Sequence, residues 1–270
     1  MPSLTFEPTK EQKNRAYPIA IVKDTNKKTS KFHNKFLYLD PSEQSKGLTK
    51  VEIPMSCIFN IIPSPDKDKR DVYYNAGASG SGKSWIAKQI AENYIKMYPD
   101  RDIFVVSQLE YDETLDNMNL GKKKLIRLDF SDWINTPPDI NNFSNSMIIF
   151  DDIDAIPNKK IYEAVLNFID QIAICGRKHS EHQGNVSMMF LSHYLSNYKK
   201  TRLILNESNN LVLYPQATSS YQISYLLQNR IGMEKDEVKK LKKLGRWTLI
   251  HTQYPQYILS SQYAEILHQD

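Results

Sequence analysis

Short apolar runs and longer amphipathic stretches alternate along the chain. YPIAIV (17–22) and KFLYLD (35–40) predict strands, and the polar, Pro-containing PSPDKDKRD (63–71) predicts a linker or exposed loop. The apolar run VYYNA (72–76) predicts a strand, and WIAKQIAENYIKMY (85–98) predicts an amphipathic helix that stops before Pro99-Asp100. IFVVS (103–107), LIRLDF (125–130), MIIF (147–150), VSMMFLS (186–192) and LVLY (211–214) read as further strands. A loop rich in Asn, Ser and Pro covers 135–146, and KKIYEAVLNFIDQIAI (159–174) is a helix between two of the strands. RWTLIHTQYPQYILS (246–260) predicts two last strands joined by a Pro turn. There is no internal repeat. Strands alternating with helices imply an α/β fold with a mainly parallel, doubly wound sheet, whose ligands sit at the strands' C-terminal ends.

Composition narrows the class. At 270 residues, with 40% hydrophobic and 24% charged positions, the chain is long enough for a large core and shows no compositional sign of disorder. Apolar runs such as VSMMFL and MIIF fall far short of the roughly 20 residues a membrane-spanning helix needs, and MPSLTFEPTK has no apolar signal core. The expectation is therefore an intracellular protein with no transmembrane segment. Cys57 and Cys175 stand far apart in apolar surroundings without Cys/His spacing, so they are expected to be reduced, packed thiols and not zinc ligands. The net charge of +4 is concentrated at the N-terminus, where residues 1–50 hold ten Lys/Arg against five Asp/Glu. A second basic run, KKLKKLGR (239–246), reads as one helix face, suited either to phosphate contact or simply to water.

Candidate chemistry begins at GASGSGKS. Gly77, Ala78, Ser79, Gly80, Ser81, Gly82, Lys83 and Ser84 fill the G-x-x-x-x-G-K-S/T pattern between a strand and a helix, the setting a phosphate-binding P-loop requires. The glycines permit turns that point successive N–H groups at phosphate oxygens, and the helix that follows adds its positive end. With Trp85, these residues are the expected nucleotide-binding set; Lys83 should reach the β and γ phosphates and Ser84 should hold Mg²⁺. This places a β-rich appendage at 1–65 and a P-loop domain at 66–270.

MIIFDD supplies acids at the end of a buried strand. Asp151 is the candidate metal-side carboxylate, and Asp152, turned another way by the pleat, is the candidate for polarising the attacking water. Asp154 reads as a cap for the helix that follows. VSMMFLSH ends with Ser192 and His193, placed to sense the γ phosphate. Between these strands CGRKHSEHQGN carries Arg177, Lys178, His179 and His182; Arg177 suits either a cation reaching a neighbouring subunit's nucleotide or a cap on the preceding helix, and the histidines have no metal-ligand spacing.

The order of P-loop strand, two intervening strands, Asp-Asp strand, Arg/His loop and Ser-His strand, with YKKTRLILNESNNLVLYP and LKKLGRWTLIHTQYPQYIL downstream, resembles the genome-packaging ATPases of large eukaryotic DNA viruses, within the FtsK/HerA superfamily. The resemblance covers roughly residues 70 to 260. It implies a sheet with an extra strand between the P-loop and Asp-Asp strands, with helices on both faces. It further implies ATP and Mg²⁺ as cofactors, a homo-oligomeric ring (pentamer or hexamer) and ATP-driven movement of double-stranded DNA into a capsid. Arg177 or Arg202 is the residue it suggests for reaching across subunits. Capsid or inner-membrane vertex proteins are the further partners it implies, and the host cytoplasm (viral factory) or the virion the location. The residues alone also admit a P-loop nucleotide or small-molecule kinase, although no arginine-bearing lid is evident. A GTP switch lacks its N-K-x-D motif, since NKKI (158–161) ends in Ile. A scaffold that binds nucleotide without turning it over is the non-enzymatic reading.

Overall fold

The computed structural model describes residues 1–25, 30–177, 184–195 and 201–267. Two compact units emerge, one made of Met1–Pro65 with Asn210–Asp270 and the other of Asp66–Asn209.

The N-terminal segment of the first unit contributes β1 (Ser3–Thr5), β2 (Tyr17–Asp24), β3 (Phe36–Asp40), β4 (Lys50–Glu52) and β5 (Cys57–Ile61). Four of them form an antiparallel sheet in the order β1-β3-β2-β5. Along β5, Cys57, Phe59 and Ile61 turn inward and alternate with half-buried Ile58 and Asn60, the period of two expected of a strand with one covered face. Asp40 at the end of β3 is fully buried and accepts a forked pair of bonds from Arg15, Nε at 2.9 Å and Nη2 at 3.2 Å.

The second unit runs β6 (Val72–Ala76), α1 (Lys83–Met97), β7 (Ile103–Ser107), α2 (Glu113–Asp116), β8 (Leu125–Arg127), β9 (Met147–Asp151), α3 (Lys159–Cys175), β10 (Ser187–Ser192) and α4 (Arg202–Glu207). Its strands lie in the order β6-β10-β9-β7-β8, all parallel. β6, β9 and β10 are buried at each position, as continuous apolar runs covered on both faces should be. β10 is the extra strand that the resemblance implied between the P-loop strand and the Asp-Asp strand. The chain moves outward from β6 through α1 to β7, then back from β9 through α3 to β10. Right-handed crossovers in opposite directions put α1 and α3 on opposite faces. α3 buries Val165, Phe168, Ile169 and Ile172, a single helical stripe. Its N-cap is Asn158, whose side chain accepts from Lys160 and Ile161 N–H, so the capping role expected of Asp154 falls four residues later.

The rest of the first unit holds β11 (Asn210–Leu213), α5 (Ser220–Leu226), α6 (Lys235–Leu241), β12 (Thr248–His251), β13 (Tyr257–Ser260) and β14 (Tyr263–Ile266). Within this unit β4-β14-β13-β12-β11 form an antiparallel run. The expected pair of final strands is present, with a cis Tyr254–Pro255 peptide between them. β14 was not anticipated. Its pairing with β4, from Tyr263 opposite Glu52 to Glu265 opposite Lys50, groups 210–270 with the first 65 residues. The sequence reading had placed 210–270 with the P-loop instead.

Cys57 is buried, but Cys175, the last residue of α3, is exposed, contrary to the expectation of a packed thiol. Among the described residues no helix is long and apolar enough to cross a membrane, and no cluster of three or more His, Cys, Asp or Glu could hold a metal ion.

Candidate active site

The site is built at the C-terminal ends of β6, β9 and β10. Where β6 stops, Gly77 N–H donates to Ser192 O at 3.0 Å, tying the first residue of the P-loop to the end of β10. Gly80 (φ 73°) and Gly82 (φ 110°) adopt left-handed conformations that a side chain would resist, and they bend the loop back toward α1. Ile86 N–H reaches Gly82 O at 3.1 Å, and by helix geometry the N–H groups of Lys83, Ser84 and Trp85 precede any intrahelical acceptor. These donors and the helix's positive end make an anion cradle. Ala78, Ser79 and Gly80 are exposed at the loop's crest, Ser81 is buried beneath it, Ser84 is half-buried and Trp85 is exposed.

Lys83 is buried and folds onto its own loop, where Nζ donates to Gly77 O at 2.9 Å and Ala78 O at 3.2 Å. Burial lowers its pKa, while Asp151 and Asp152 pull it back up. Asn75 was not picked out from sequence. It is fully buried, and its side-chain amide donates to Lys83 O at 3.1 Å, fixing the first residue of α1 to the P-loop strand. The signal was visible as the one polar residue in VYYNA.

Asp151 ends β9 opposite Ser107 of β7 and is 4% exposed. Burial, then the charges of Asp152 and Asp112, push its carboxyl up to about 6, with Lys83 opposing them. Asp112 also went unnoticed in the sequence, because its visible task is to cap α2 by accepting from Thr114 and Leu115 N–H. Asp152 leaves the strand: its φ of 50° is left-handed, a conformation costing on the order of 1 kcal/mol that Asp tolerates better than most residues. This left-handed turn, and not the pleat of a continuing strand, swings Asp152 sideways, where Oδ1 lies 2.9 Å from His193 Nε2.

Ser192, expected to sense the γ phosphate, is tied to Tyr194. Its hydroxyl is buried in a turn, donating to Tyr194 O at 2.9 Å and accepting from Tyr194 N–H at 3.1 Å, while its carbonyl receives Gly77 N–H. Tyr74, on the P-loop strand, donates its hydroxyl to the same Tyr194 O at 2.6 Å. Lys83, Asp151, Asp152 and His193 are thus brought together at one end of the sheet.

Arg177 is not. It follows α3 at the strands' N-terminal end, where Gly176 O receives Val186 N–H at 2.9 Å, and β10 separates it from the P-loop by roughly 20 Å of strand. Its exposed guanidinium meets Glu207 at 3.4 Å. The cap on α3 comes instead from buried Arg70, which donates to Ile172 O and, at 2.5 Å, to Ala173 O. Arg202 is exposed at the start of α4. Thr201, just before it, hydrogen-bonds with Tyr74 of β6. Lys178, His179 and His182 lie outside the described residues.

A parallel sheet with this loop on one strand, paired acids on another and a strand ending in Ser-His between them defines a P-loop nucleotide-binding fold. Protein V3 of the Sputnik virophage, an uncharacterized protein, is 31% identical over 240 residues, covering 88% of this chain and 92% of its own. The chain belongs to that protein's family. No protein-family model matches it. Among solved structures, the DNA-packaging ATPase B204 of Sulfolobus turreted icosahedral virus overlaps 74% of this chain and 100% of its own at 12% identity and a TM-score of 0.46. The conjugation coupling protein TcpA of pCW3 overlaps 90% of this chain and 77% of its own at 11% identity and a TM-score of 0.47.

Proposed function

We propose that this protein is an ATP-hydrolysing motor that moves double-stranded DNA into a viral capsid, assembled as a pentameric or hexameric ring in the host cytoplasm or on the virion. The observation that carries the proposal is the meeting of Lys83, Asp151, Asp152 and His193 around a P-loop. The sequence resemblance to packaging motors supports duplex DNA as the cargo, and the kinship with a virophage protein supports a viral setting.

In this reading the amides of Gly77 to Trp85 surround the phosphates of ATP, and Lys83 exchanges the Gly77 and Ala78 carbonyls for phosphate oxygens. Desolvation makes its charge count for more there than in water. The donor set fits Mg²⁺: a hard cation takes oxygen ligands, Ser84 and Asp151 supply them, and a buried carboxyl pushed up to about 6 is one whose ionised form calls for a cation. Bound there, Mg²⁺ would neutralise charge developing on the phosphates. Asp152 orients the water, and His193, bonded to it, holds that carboxylate in place and carries the state of the γ phosphate to the segment after β10. Arg177 or Arg202 acts from a neighbouring subunit. The P-loop kinase remains the second reading, because the same loop and acids would serve a bound acceptor.

Two measurements test this. Product analysis should find free phosphate, whereas a phosphorylated acceptor would favour the kinase. Native mass with an ATP analogue and duplex DNA should report a ring, and a monomer under all conditions would contradict the motor.

A further inference from the structure

The basic run at 239–246 takes no part in the nucleotide site. Together with α5 and its π-helical continuation Leu227–Ile231, it supplies Arg230, Lys239, Lys240, Lys242, Lys243 and Arg246 without one Asp or Glu. The first turn of α6 does carry acids: Asp236 meets Lys239 at 2.9 Å and Glu237 accepts from Glu234 N–H at 2.8 Å, while Glu265 of β14 meets Lys240 at 2.6 Å. Lys242 is held differently. Its Nζ donates to Ser220 Oγ at 2.8 Å and Ser224 Oγ at 2.5 Å, both on α5.

Neutral hydroxyls fix an ammonium in place without cancelling its charge. On the adjoining row of α5, Tyr221 and Tyr225 stand one turn apart and are 76% and 52% exposed. The surface therefore presents polar groups at fixed points: one pinned ammonium, the Ser220 hydroxyl, two phenols and the exposed Lys243, while the Ser224 hydroxyl donates to Ser220 O at 3.0 Å and serves to hold Lys242. Such a set matches phosphate oxygens, whose contacts carry no sequence information, which suits a protein that must pass along any sequence.

We propose that the α5–α6 surface around Lys242, Ser220, Ser224, Tyr221 and Tyr225 is a sequence-independent contact for the phosphate backbone of duplex DNA. The proposal rests on the reading of the protein as a DNA motor and adds the surface that holds the cargo.

The test is binding of a labelled mixed-sequence duplex to the full chain across a salt series. The variants are Lys242→Ala with Lys243→Ala, Lys242→Arg, and Tyr221→Phe with Tyr225→Phe, with nucleotide binding checked in each. Removing two phosphate contacts should make the slope of log affinity against log salt shallower by about 2. Lys242→Arg should keep the wild-type slope. The tyrosine pair should weaken binding equally for unrelated sequences, and nucleotide binding should be unchanged throughout. An unaltered slope in the double alanine variant, a defect confined to single-stranded DNA, or a change of oligomer mass with normal duplex binding would overturn the assignment while leaving the motor standing. Wild-type protein that binds no duplex at any salt would overturn both.

Discussion

The two ends of the parallel sheet in the Asp66–Asn209 unit treat buried polarity in opposite ways. At the strands' N-terminal end it completes the backbone. Arg70 caps α3 through Ile172 and Ala173, Asn209 accepts from Val72 N–H at 2.8 Å, and Asn185 donates to Lys67 O at 2.6 Å. At the C-terminal end it accumulates: Lys83 is shifted down by burial and Asp151 is pushed up to about 6, with half-buried Asp152 beside them in a left-handed turn against the exposed His193. Groups that finish the backbone serve the fold. Groups held charged at a stability cost mark the place where a ligand is expected.

Breaking the active end should abolish chemistry and spare the fold. Lys83→Ala should lower ATP turnover at least about a hundredfold, with an unchanged urea midpoint. A lower midpoint accounting for the lost activity would show Lys83 to be structural. Breaking the other end should do the reverse. Arg70→Ala strands two helix-terminal carbonyls and should cost about 3 kcal/mol in denaturant unfolding, with the KM for ATP unchanged. A raised KM with normal stability would erase the distinction between the ends.

A second buried carboxylate, from the other unit, sharpens the contrast. Burial pushes Asp40 upward, but Arg15, Ser45, the Ser42 N–H and Gln12 together hold it at about 2. Its folded pKa lies below the unfolded one, so its stabilising share is fully present above the ordinary carboxylate range and is lost as pH falls toward about 2. Asp40→Asn should cost about 2 kcal/mol at neutral pH, and the gap to wild type should close in acid denaturation. A gap independent of pH would show that the Arg15 pair contributes nothing. The smallest effect is expected at His193, which acts on water only through Asp152. His193→Gln should lower kcat about tenfold with little change in KM. A change in KM alone would make it a binding residue.

What could be read from the sequence was local. GASGSGKS needs only its own glycines and the helix after it, and MIIFDD announces charge at the end of an apolar strand, so both parts were visible without a partner in view. β6 to β10 were legible for the same reason, as apolar runs bounded by polar turns. β4 and β14, three and four residues long, find each other across some two hundred positions, and no periodicity so short encodes that pairing. The left-handed turn at Asp152, the hydroxyl of Ser192 spent on Tyr194, and Arg70 as the cap of α3 each depend on neighbours brought close by tertiary folding. Residue type alone was silent about them.

The central claim is that the charge gathered at the ends of β6, β9 and β10 drives duplex DNA. Phosphate release by the full chain, titrated with double-stranded DNA beside Lys83→Ala, tests it most directly. The account predicts turnover that rises with duplex and vanishes in the variant. Turnover indifferent to duplex in an assembled preparation would contradict it.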